Sequence, residues 1–211
     1  MKVCVFTNST INSPSMYPIE ETIKSYINTF GDAEFVVYLD KNPNTDKADE
    51  YKNKLEQKYK IVETKGLADG FIKAVTQNDD EYLFMLEHDW MFQNIYHNLD
   101  QILSLMKKNN IYYFGFNKNH NKLGKGIYSS YMNQIDDDIV YVECDSLSNY
   151  PHIIDRKYYL NNVIHKIKFK GGSYGVESNL TNKELVACRY GGLSYPPTLK
   201  HLNGNCSKEN M

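Results

Sequence analysis

Two carboxylates, one residue apart, directly follow an apolar run in the first half of the chain. The run Tyr82–Leu86 leads into Glu87, His88 and Asp89, and charged residues also stand before it. Five apolar residues between charged neighbours predict a short strand that is buried on both faces. Ligands of open α/β sheets collect at the carboxyl ends of parallel strands. We therefore expect both carboxylates at the mouth of a crevice.

Glu87 and Asp89 are suited to hold a hard divalent cation. Alternate side chains of an extended segment lie on one face, so both carboxylates could approach the same ion. Mg²⁺ or Mn²⁺, held by one or two carboxylates and completed by substrate phosphates, fits this arrangement. The competing interpretation is a charged strand end followed by a solvated turn. The buried strand before the pair and Trp90–Phe92 after it favour the metal site.

The elements that position these carboxylates alternate between strand and helix. Apolar residues at helical spacing follow Pro18, and Gly31 is expected to end that helix. The predicted strands are Lys2–Phe6, Glu34–Leu39, one that begins at Ile61-Val62, and Tyr82–Leu86, and the predicted helices are Pro18–Phe30, Ala48–Tyr59 and Gly66–Thr76. This alternation predicts a parallel sheet wound by right-handed crossovers.

The second half of the chain has a less regular pattern. The expected elements are the helix Leu99–Met106, the strand Ile111–Phe116, the loop Asn117–Gly126, the strand Val140–Cys144, the helix Arg156–Ile167, the strand Leu185–Tyr190 and the aperiodic tail Gly191–Met211. We predict a single domain over residues 1–211, with a nucleotide-binding half at 1–117 and an acceptor-side half with its tail at 118–211.

Composition and charge narrow the class of protein. The chain has 211 residues, a formal net charge of −2 and 41% hydrophobic residues, which is ordinary for a soluble globular protein. Because no basic block occurs, a nucleic-acid partner is not expected. No segment has the length of a membrane span or the pattern of a signal peptide. Cys4 and Cys188 stand in apolar runs, so we expect buried free thiols and a cytoplasmic location.

These features together resemble the GT-A glycosyltransferases, and most of all the broad family 2-like group. The similarity rests on Thr7–Ser9 after the first strand, Asp40 after the second, and Gly66–Ala74 before the signature strand. Glu87-His88-Asp89 stands where the family carries Asp-x-Asp, with Glu in place of the first Asp. The similarity covers roughly residues 1–117. The composition also resembles the glycosyltransferase domains with which chlorella viruses decorate their major capsid protein.

The resemblance implies a fold, a reaction and a cofactor. The fold would be an α/β GT-A fold, with a mostly parallel central sheet flanked by helices and a smaller C-terminal elaboration on the acceptor side. The reaction would move a hexose or 6-deoxyhexose, of the glucose or rhamnose class, from a UDP-sugar to a glycan or glycoprotein. Mn²⁺ or Mg²⁺ would stabilise the negative charge that develops on the diphosphate leaving group.

The resemblance also implies roles for residues at the strand ends. Asp89 would be the first metal ligand, His201 late in the chain a further ligand, and Glu87 a metal or ribose contact. The residues expected around the nucleotide are Thr7, Asn8, Ser9, Asp40, Asp69 and Glu87. Each of them could instead cap a helix or form a turn, which is the commoner role of Asp, Asn and Ser. Their place at successive strand ends favours a shared binding role.

An inverting transferase needs one general base beside the acceptor hydroxyl. The family often places a carboxylate after a glycine-containing turn late in the chain, and Gly171–Gly175 followed by Glu177 is similar to that pattern. Asp145 is the second candidate for the base. The alternative role of Glu177 is to stabilise the positive end of a helix. Tyr150–His152 is expected to line the acceptor cleft.

Two other functions stay open at the level of sequence. A nucleotidyltransferase would share the sheet and the metal, but it typically needs a glycine-rich loop with a basic residue after the first strand. The segment Thr7–Pro18 contains no Gly, Lys or Arg. A non-catalytic sugar-binding module could use Trp90 and the 18 tyrosines, but it leaves the ordered acids at successive strand ends unexplained.

Overall fold

A central sheet, with nine strands in the part of the chain that the structure describes, organises the fold. The computed structural model describes residues 1–9, 15–41, 46–122, 134–136, 138–144, 147–167 and 187–202. The strands are β1 (Lys2–Asn8), β2 (Glu34–Asp40), β3 (Lys60–Thr64), β4 (Tyr82–Glu87), β5 (Trp90–Phe92), β6 (Tyr113–Gly115), β7 (Gln134–Asp136), β8 (Ile139–Cys144), β9 (His152–Asp155), β10 (Ala187–Tyr190) and β11 (Leu199–His201). The helices are α1 (Met16–Phe30), α2 (Asp46–Glu56), α3 (Leu67–Gln77), α4 (Leu99–Lys108) and α5 (Arg156–Asn162), with a 3₁₀ turn at Ile164–Lys166.

Four neighbouring strands pair in parallel in the order β3-β2-β1-β4, which confirms the predicted wound sheet. Helices α1, α2 and α3 are the connections between them. Helix α1 begins where the Ser15 hydroxyl accepts a hydrogen bond from the Tyr17 N–H. It ends at Gly31, whose φ of 89° is tolerated because glycine lacks a Cβ. The carboxyl ends of all four strands therefore lie at one edge of the sheet.

The rest of the main sheet is mixed. Strand β9 lies antiparallel between β4 and β6, β10 pairs in parallel with β6, and β8 and β7 follow as antiparallel strands. From these pairings, β8 and β9 run opposite to the other seven strands, so the sheet is mostly parallel, as predicted.

Hydrophobic side chains pack on both faces of this sheet. Helices α1, α2 and α4 cover one face, and α3 and α5 cover the other. Alternation along β1 sends Val3 and Val5 to the first face and Cys4 and Phe6 to the second. The Cys4 and Cys188 thiols are free and buried, as predicted. None of the described helices is both long and apolar enough to cross a membrane.

Several short elements differ from the sequence predictions. Strands β5, β7, β9 and β11 are not predicted, because runs of three or four residues carry little periodicity. The segment Gly191–Met211, expected to be an aperiodic tail, contains β11, which pairs antiparallel with β5 in a second sheet. The helix predicted at Arg156–Ile167 ends at Asn162 and is followed only by the 3₁₀ turn.

Candidate active site

A crevice of about 460 Å³ opens where the carboxyl ends of β1, β2 and β4 meet the start of α3. Its walls are formed by Phe6, Thr7, Asn8, Tyr38, Asp40, Thr64, Gly66, Leu67, Glu87, His88 and Asp89. The crevice thus brings together five residues that the sequence analysis assigns to nucleotide or metal binding: Thr7, Asn8, Asp40, Glu87 and Asp89. This is the sheet edge at which ligands of open α/β folds collect.

The turn His88-Asp89 follows β4 and is fixed from two sides. The His88 N–H donates to the Phe6 carbonyl at 3.0 Å, and the Thr22 hydroxyl of α1 donates to the His88 carbonyl at 2.7 Å. Because β4 ends at Glu87, the two carboxylates reach the crevice across a turn. The expectation that they are alternate residues of one extended segment is therefore wrong. Burial lowers the pKa of His88, which keeps this imidazole neutral at neutral pH.

Asp89 and His201 form the pair best suited to hold a cation. The β5–β11 register sets His201 opposite Trp90 and places His201 Nε2 3.0 Å from Asp89 Oδ2. Adjacent ligands of an octahedral ion, each about 2.1 Å from the metal, are themselves about 3.0 Å apart. The other oxygen, Asp89 Oδ1, is buried and has no hydrogen-bond partner among the described residues. A buried oxygen in that state calls for an explanation, and a cation supplies one.

The protein contributes only part of such a metal site. Within the described part of the chain, no group of three His, Cys, Asp or Glu side chains could hold a metal. Glu87 lines the crevice, and its role as a metal ligand stays a prediction. Diphosphate oxygens and water would supply the remaining ligands, as is usual for Mg²⁺ sites with one or two carboxylates. The imidazole ligand makes Mn²⁺ a better match than the harder Mg²⁺.

Aromatic packing holds the His201 ring in place beside the crevice. The Trp90 and His201 rings pack edge to face with 4.6 Å between their centroids, and Tyr150 packs on Trp90 at 5.0 Å. The Lys118 ammonium lies 5.6 Å from the Trp90 ring centroid, within the range of a cation–π contact. The imidazole is therefore confined on one side by a buried indole.

The residues assigned to the nucleotide divide into two groups. Thr7 and Asp40 line the crevice, and the Thr7 hydroxyl shares a 2.8 Å hydrogen bond with the Tyr51 hydroxyl of α2. Ser9 is 1% exposed and does not line the crevice, and its N–H donates to the Asp40 carbonyl at 3.0 Å. Burial and the nearby Asp69 carboxylate raise the pKa of Asp40. Ser9 thus holds the end of β2, and Asp40 offers a partly desolvated acceptor to a ligand.

Asp69 does not line the crevice, although the sequence analysis assigns it to the nucleotide. Its Oδ2 accepts from the Lys65 N–H at 2.9 Å and pairs with Lys73 Nζ at 2.9 Å. Burial alone would raise the pKa of Asp69, but the hydrogen bonds with Lys73 and Lys65 hold it below its usual value. These contacts close the turn that leads into α3.

The start of α3 contributes crevice residues to which the sequence analysis assigns no role. Gly66 and Leu67 form part of the wall, and Gly66 has a φ of 112°, which favours glycine. A Cβ on Gly70 would lie 3.1 Å from the Phe6 ring, so glycine allows α3 to approach β1 closely. The family-like segment Gly66–Ala74 is the only sequence signal for this wall.

Two further predictions concern the acceptor side. His152 does not line a cleft: it is 2% exposed, it stacks on Phe71 and Tyr113, and its Nδ1 bonds the Tyr150 carbonyl at 2.6 Å. The prediction that Tyr150–His152 lines the acceptor cleft is therefore wrong for His152, which is a central residue of the sheet. The candidate bases Glu177 and Asp145, with the turn Gly171–Gly175, lie outside the described residues.

Similarity to solved structures identifies the fold. GalNAc-T7 with UDP, GalNAc and Mn²⁺ matches 96% of this chain with a TM-score of 0.58 at 12% identity. Residues 1-349 of TarS from S. aureus, in complex with UDP-GlcNAc, match 97% with a TM-score of 0.54 at 16% identity. Both are GT-A glycosyltransferases. The fold is the GT-A fold.

The chain covers only part of the length of several of these structures. The chain spans 44% of the GalNAc-T7 chain, 61% of TarS 1-349 and 36% of the longer TarS chain. HddC from Yersinia pseudotuberculosis, with a TM-score of 0.55 at 11% identity, is covered over 92% of its length. No protein-family model and no curated protein sequence matches the chain significantly. At these identities the likeness establishes the GT-A fold alone.

Proposed function

We propose that this chain is a metal-dependent glycosyltransferase that uses a UDP-sugar as its donor. The observation that carries the proposal is the Asp89–His201 pair, with its unpartnered carboxylate oxygen, at a crevice built from strand ends. GT-A structures similar to this chain were solved with UDP-GlcNAc, with UDP, or with UDP, GalNAc and Mn²⁺. Those ligands support a UDP-sugar as the molecule that enters this crevice.

The residues that line the crevice, and His201 beside it, have separate tasks in this proposal. Thr7, Asn8 and Asp40 bind the uracil and ribose, because they offer hydroxyl, amide and carboxylate groups at the ends of β1 and β2. Asp89 and His201 hold the divalent cation near the diphosphate. When bound, the cation stabilises the negative charge that develops on the leaving diphosphate. Glu87 is proposed to contact the ribose or a water molecule on the metal.

The transfer exchanges one bond at the anomeric carbon of the donor for another. The bond from that carbon to the diphosphate oxygen breaks, and a bond to the acceptor oxygen forms. The acceptor hydroxyl gives its proton to a general base, for which we propose Glu177, with Asp145 as the second candidate, in an inverting reaction. A glucose- or rhamnose-class donor sugar, a glycan or glycoprotein acceptor and a role in viral capsid glycosylation are proposals from the family resemblance.

Measuring product release from a panel of UDP-sugars, with Mn²⁺ and with a chelator, tests this function. We expect free UDP from at least one donor in the presence of Mn²⁺ and none with the chelator. If the protein instead releases pyrophosphate when it is given a nucleoside triphosphate and a sugar phosphate, it is a nucleotidyltransferase. Sugar binding without turnover of any donor would establish a binding module.

A further inference from the structure

Thr198 and Asn117 join two distant segments through a compact set of hydrogen bonds. The Thr198 hydroxyl accepts from the Asn117 N–H at 2.7 Å and donates to Asn117 Oδ1 at 2.6 Å. The N–H groups of Thr198 and Leu199 both donate to the Asn117 carbonyl, at 2.9 and 3.1 Å. Thr198 is 0% exposed and Asn117 4%. The polar groups of Thr198 and Asn117 thus hydrogen-bond each other where water does not reach, so removing one of them leaves buried polar atoms unpaired.

This Asn117–Thr198 clamp ties the small sheet to the large one. Asn117 lies just beyond β6, in the middle of the main sheet, and Thr198 directly precedes β11. Strand β11 has three residues, and among the described strands it pairs only with β5, which also has three. Two short strands are marginal by themselves, so their position depends on the contacts at their ends. The clamp is such a contact, and it acts at the start of the strand that carries His201.

The clamp is connected to His201 through β11. Thr198 and His201 are separated by two residues of extended chain, so a shift at Thr198 is transmitted to His201. At the other end, the Leu202 N–H donates to the Asp89 carbonyl at 2.7 Å. We infer that the Thr198 hydroxyl is a positioning group for the site: through β11 it holds His201 at the distance from Asp89 that a divalent cation needs. The inference rests on the proposed function of the Asp89–His201 pair.

The test compares Thr198→Val with Thr198→Ser. Valine keeps the shape of threonine but removes the hydroxyl, whereas serine keeps the hydroxyl. Mn²⁺ is titrated into protein saturated with UDP, and bound Mn²⁺ is measured by electron paramagnetic resonance, independently of turnover. We expect about a tenfold weaker Mn²⁺ affinity for Thr198→Val, the size typical for residues that orient metal ligands. Thr198→Ser should retain most of the wild-type affinity.

A double-mutant cycle shows whether Thr198 acts through His201. His201→Ala alone should weaken Mn²⁺ binding, and adding Thr198→Val to it should cost nothing further, because the ligand to be positioned is gone. The matched control is Asn109→Ala, which loses bonds to Leu105 and Asp136 near the opposite end of β6 and should leave Mn²⁺ affinity unchanged. If Thr198→Val does not fold, Asn117→Ala removes the Oδ1 acceptor and takes its place.

The outcomes separate this inference from the proposed function. If wild-type protein with UDP takes up no Mn²⁺, the proposed function fails. If wild type binds Mn²⁺ and His201→Ala weakens it, but Thr198→Val and Asn117→Ala both bind normally, only the positioning role is wrong. Equal losses in Thr198→Val and Thr198→Ser, or additive losses with His201→Ala, would also overturn the positioning role.

Discussion

His152 allows a test of the fold that does not depend on catalysis. Burial lowers the pKa of this imidazole to about 4, although its hydrogen bond to the Tyr150 carbonyl acts in the opposite direction. In the unfolded chain a histidine has a pKa of about 6.5. Between these two values the unfolded chain binds a proton that the folded protein excludes. The contribution of His152 to the free energy of unfolding is therefore fully present above pH 6.5 and is lost as the pH falls toward 4.

The two pKa values fix the size of this effect. Proton linkage lowers the free energy of unfolding by about 2 kcal/mol between pH 8 and pH 5, and by about 3 kcal/mol between pH 8 and pH 4. Urea unfolding of the wild type and of His152→Phe over this pH range measures it. Phenylalanine keeps a ring between Phe71 and Tyr113 but cannot titrate, so the variant should lack this part of the decline. His165→Gln, which removes an exposed imidazole, is the control and should follow the wild type.

The decisive quantity is the difference between wild type and His152→Phe. Carboxylates and other groups titrate in both proteins, so their contributions cancel in that difference. Parallel stability curves from pH 8 to pH 4 would refute the reasoning. They would mean that the His152 imidazole reaches water, and Tyr150–His152 could then line the acceptor cleft after all.

Three further predictions concern the crevice and the reaction. Asp89→Ala should abolish Mn²⁺-dependent UDP release, while circular dichroism shows an intact fold. Glu87→Ala should lose less of this UDP release. If the two variants lose equal affinity for Mn²⁺, Glu87 is a direct ligand. Asp40→Ala should raise the donor KM about tenfold with little change in kcat, since a base or ribose contact serves ground and transition states alike; steady-state kinetics decides. Glu177→Gln should lose about 10²–10⁴-fold in kcat while UDP binding in calorimetry is retained; normal turnover in both Glu177→Gln and Asp145→Asn would exclude this base assignment.

The parallel half of the sheet can be predicted from sequence because each of its strands and helices has its own hydrophobic pattern. The apolar run Tyr82–Leu86 and the stripe of α1 show strand and helix periods directly. Strands β1 to β4 are also joined by short helical connections, so their pairing follows from general rules of chain topology. Once the strands are placed, Thr7, Asp40 and Asp89 fall at one sheet edge. That part of the candidate site therefore follows from local patterns.

The remainder of the site depends on contacts between distant segments. Nothing in the residues around Leu199 shows that they pair with Phe92, because three-residue strands have no measurable period. The expectation that His201 joins Asp89 rests on the family resemblance and not on spacing. Thr198 and Asn117 carry no sequence signal, since an isolated Thr or Asn forms no pattern. The prediction for His152 is wrong because β9 lies between β4 and β6, out of sequence order. The single-domain organisation stays a prediction.

The central claim is that Asp89 and His201 together hold the cation that binds the diphosphate of a UDP-sugar. Anomalous diffraction from crystals grown with Mn²⁺ and UDP tests this claim most directly, because it locates the ion without reference to activity. We expect an anomalous peak about 2.2 Å from both a carboxylate oxygen of Asp89 and Nε2 of His201, with diphosphate oxygens completing the coordination. A UDP molecule in the crevice with no Mn²⁺ at this pair, or with Mn²⁺ held elsewhere, would contradict it.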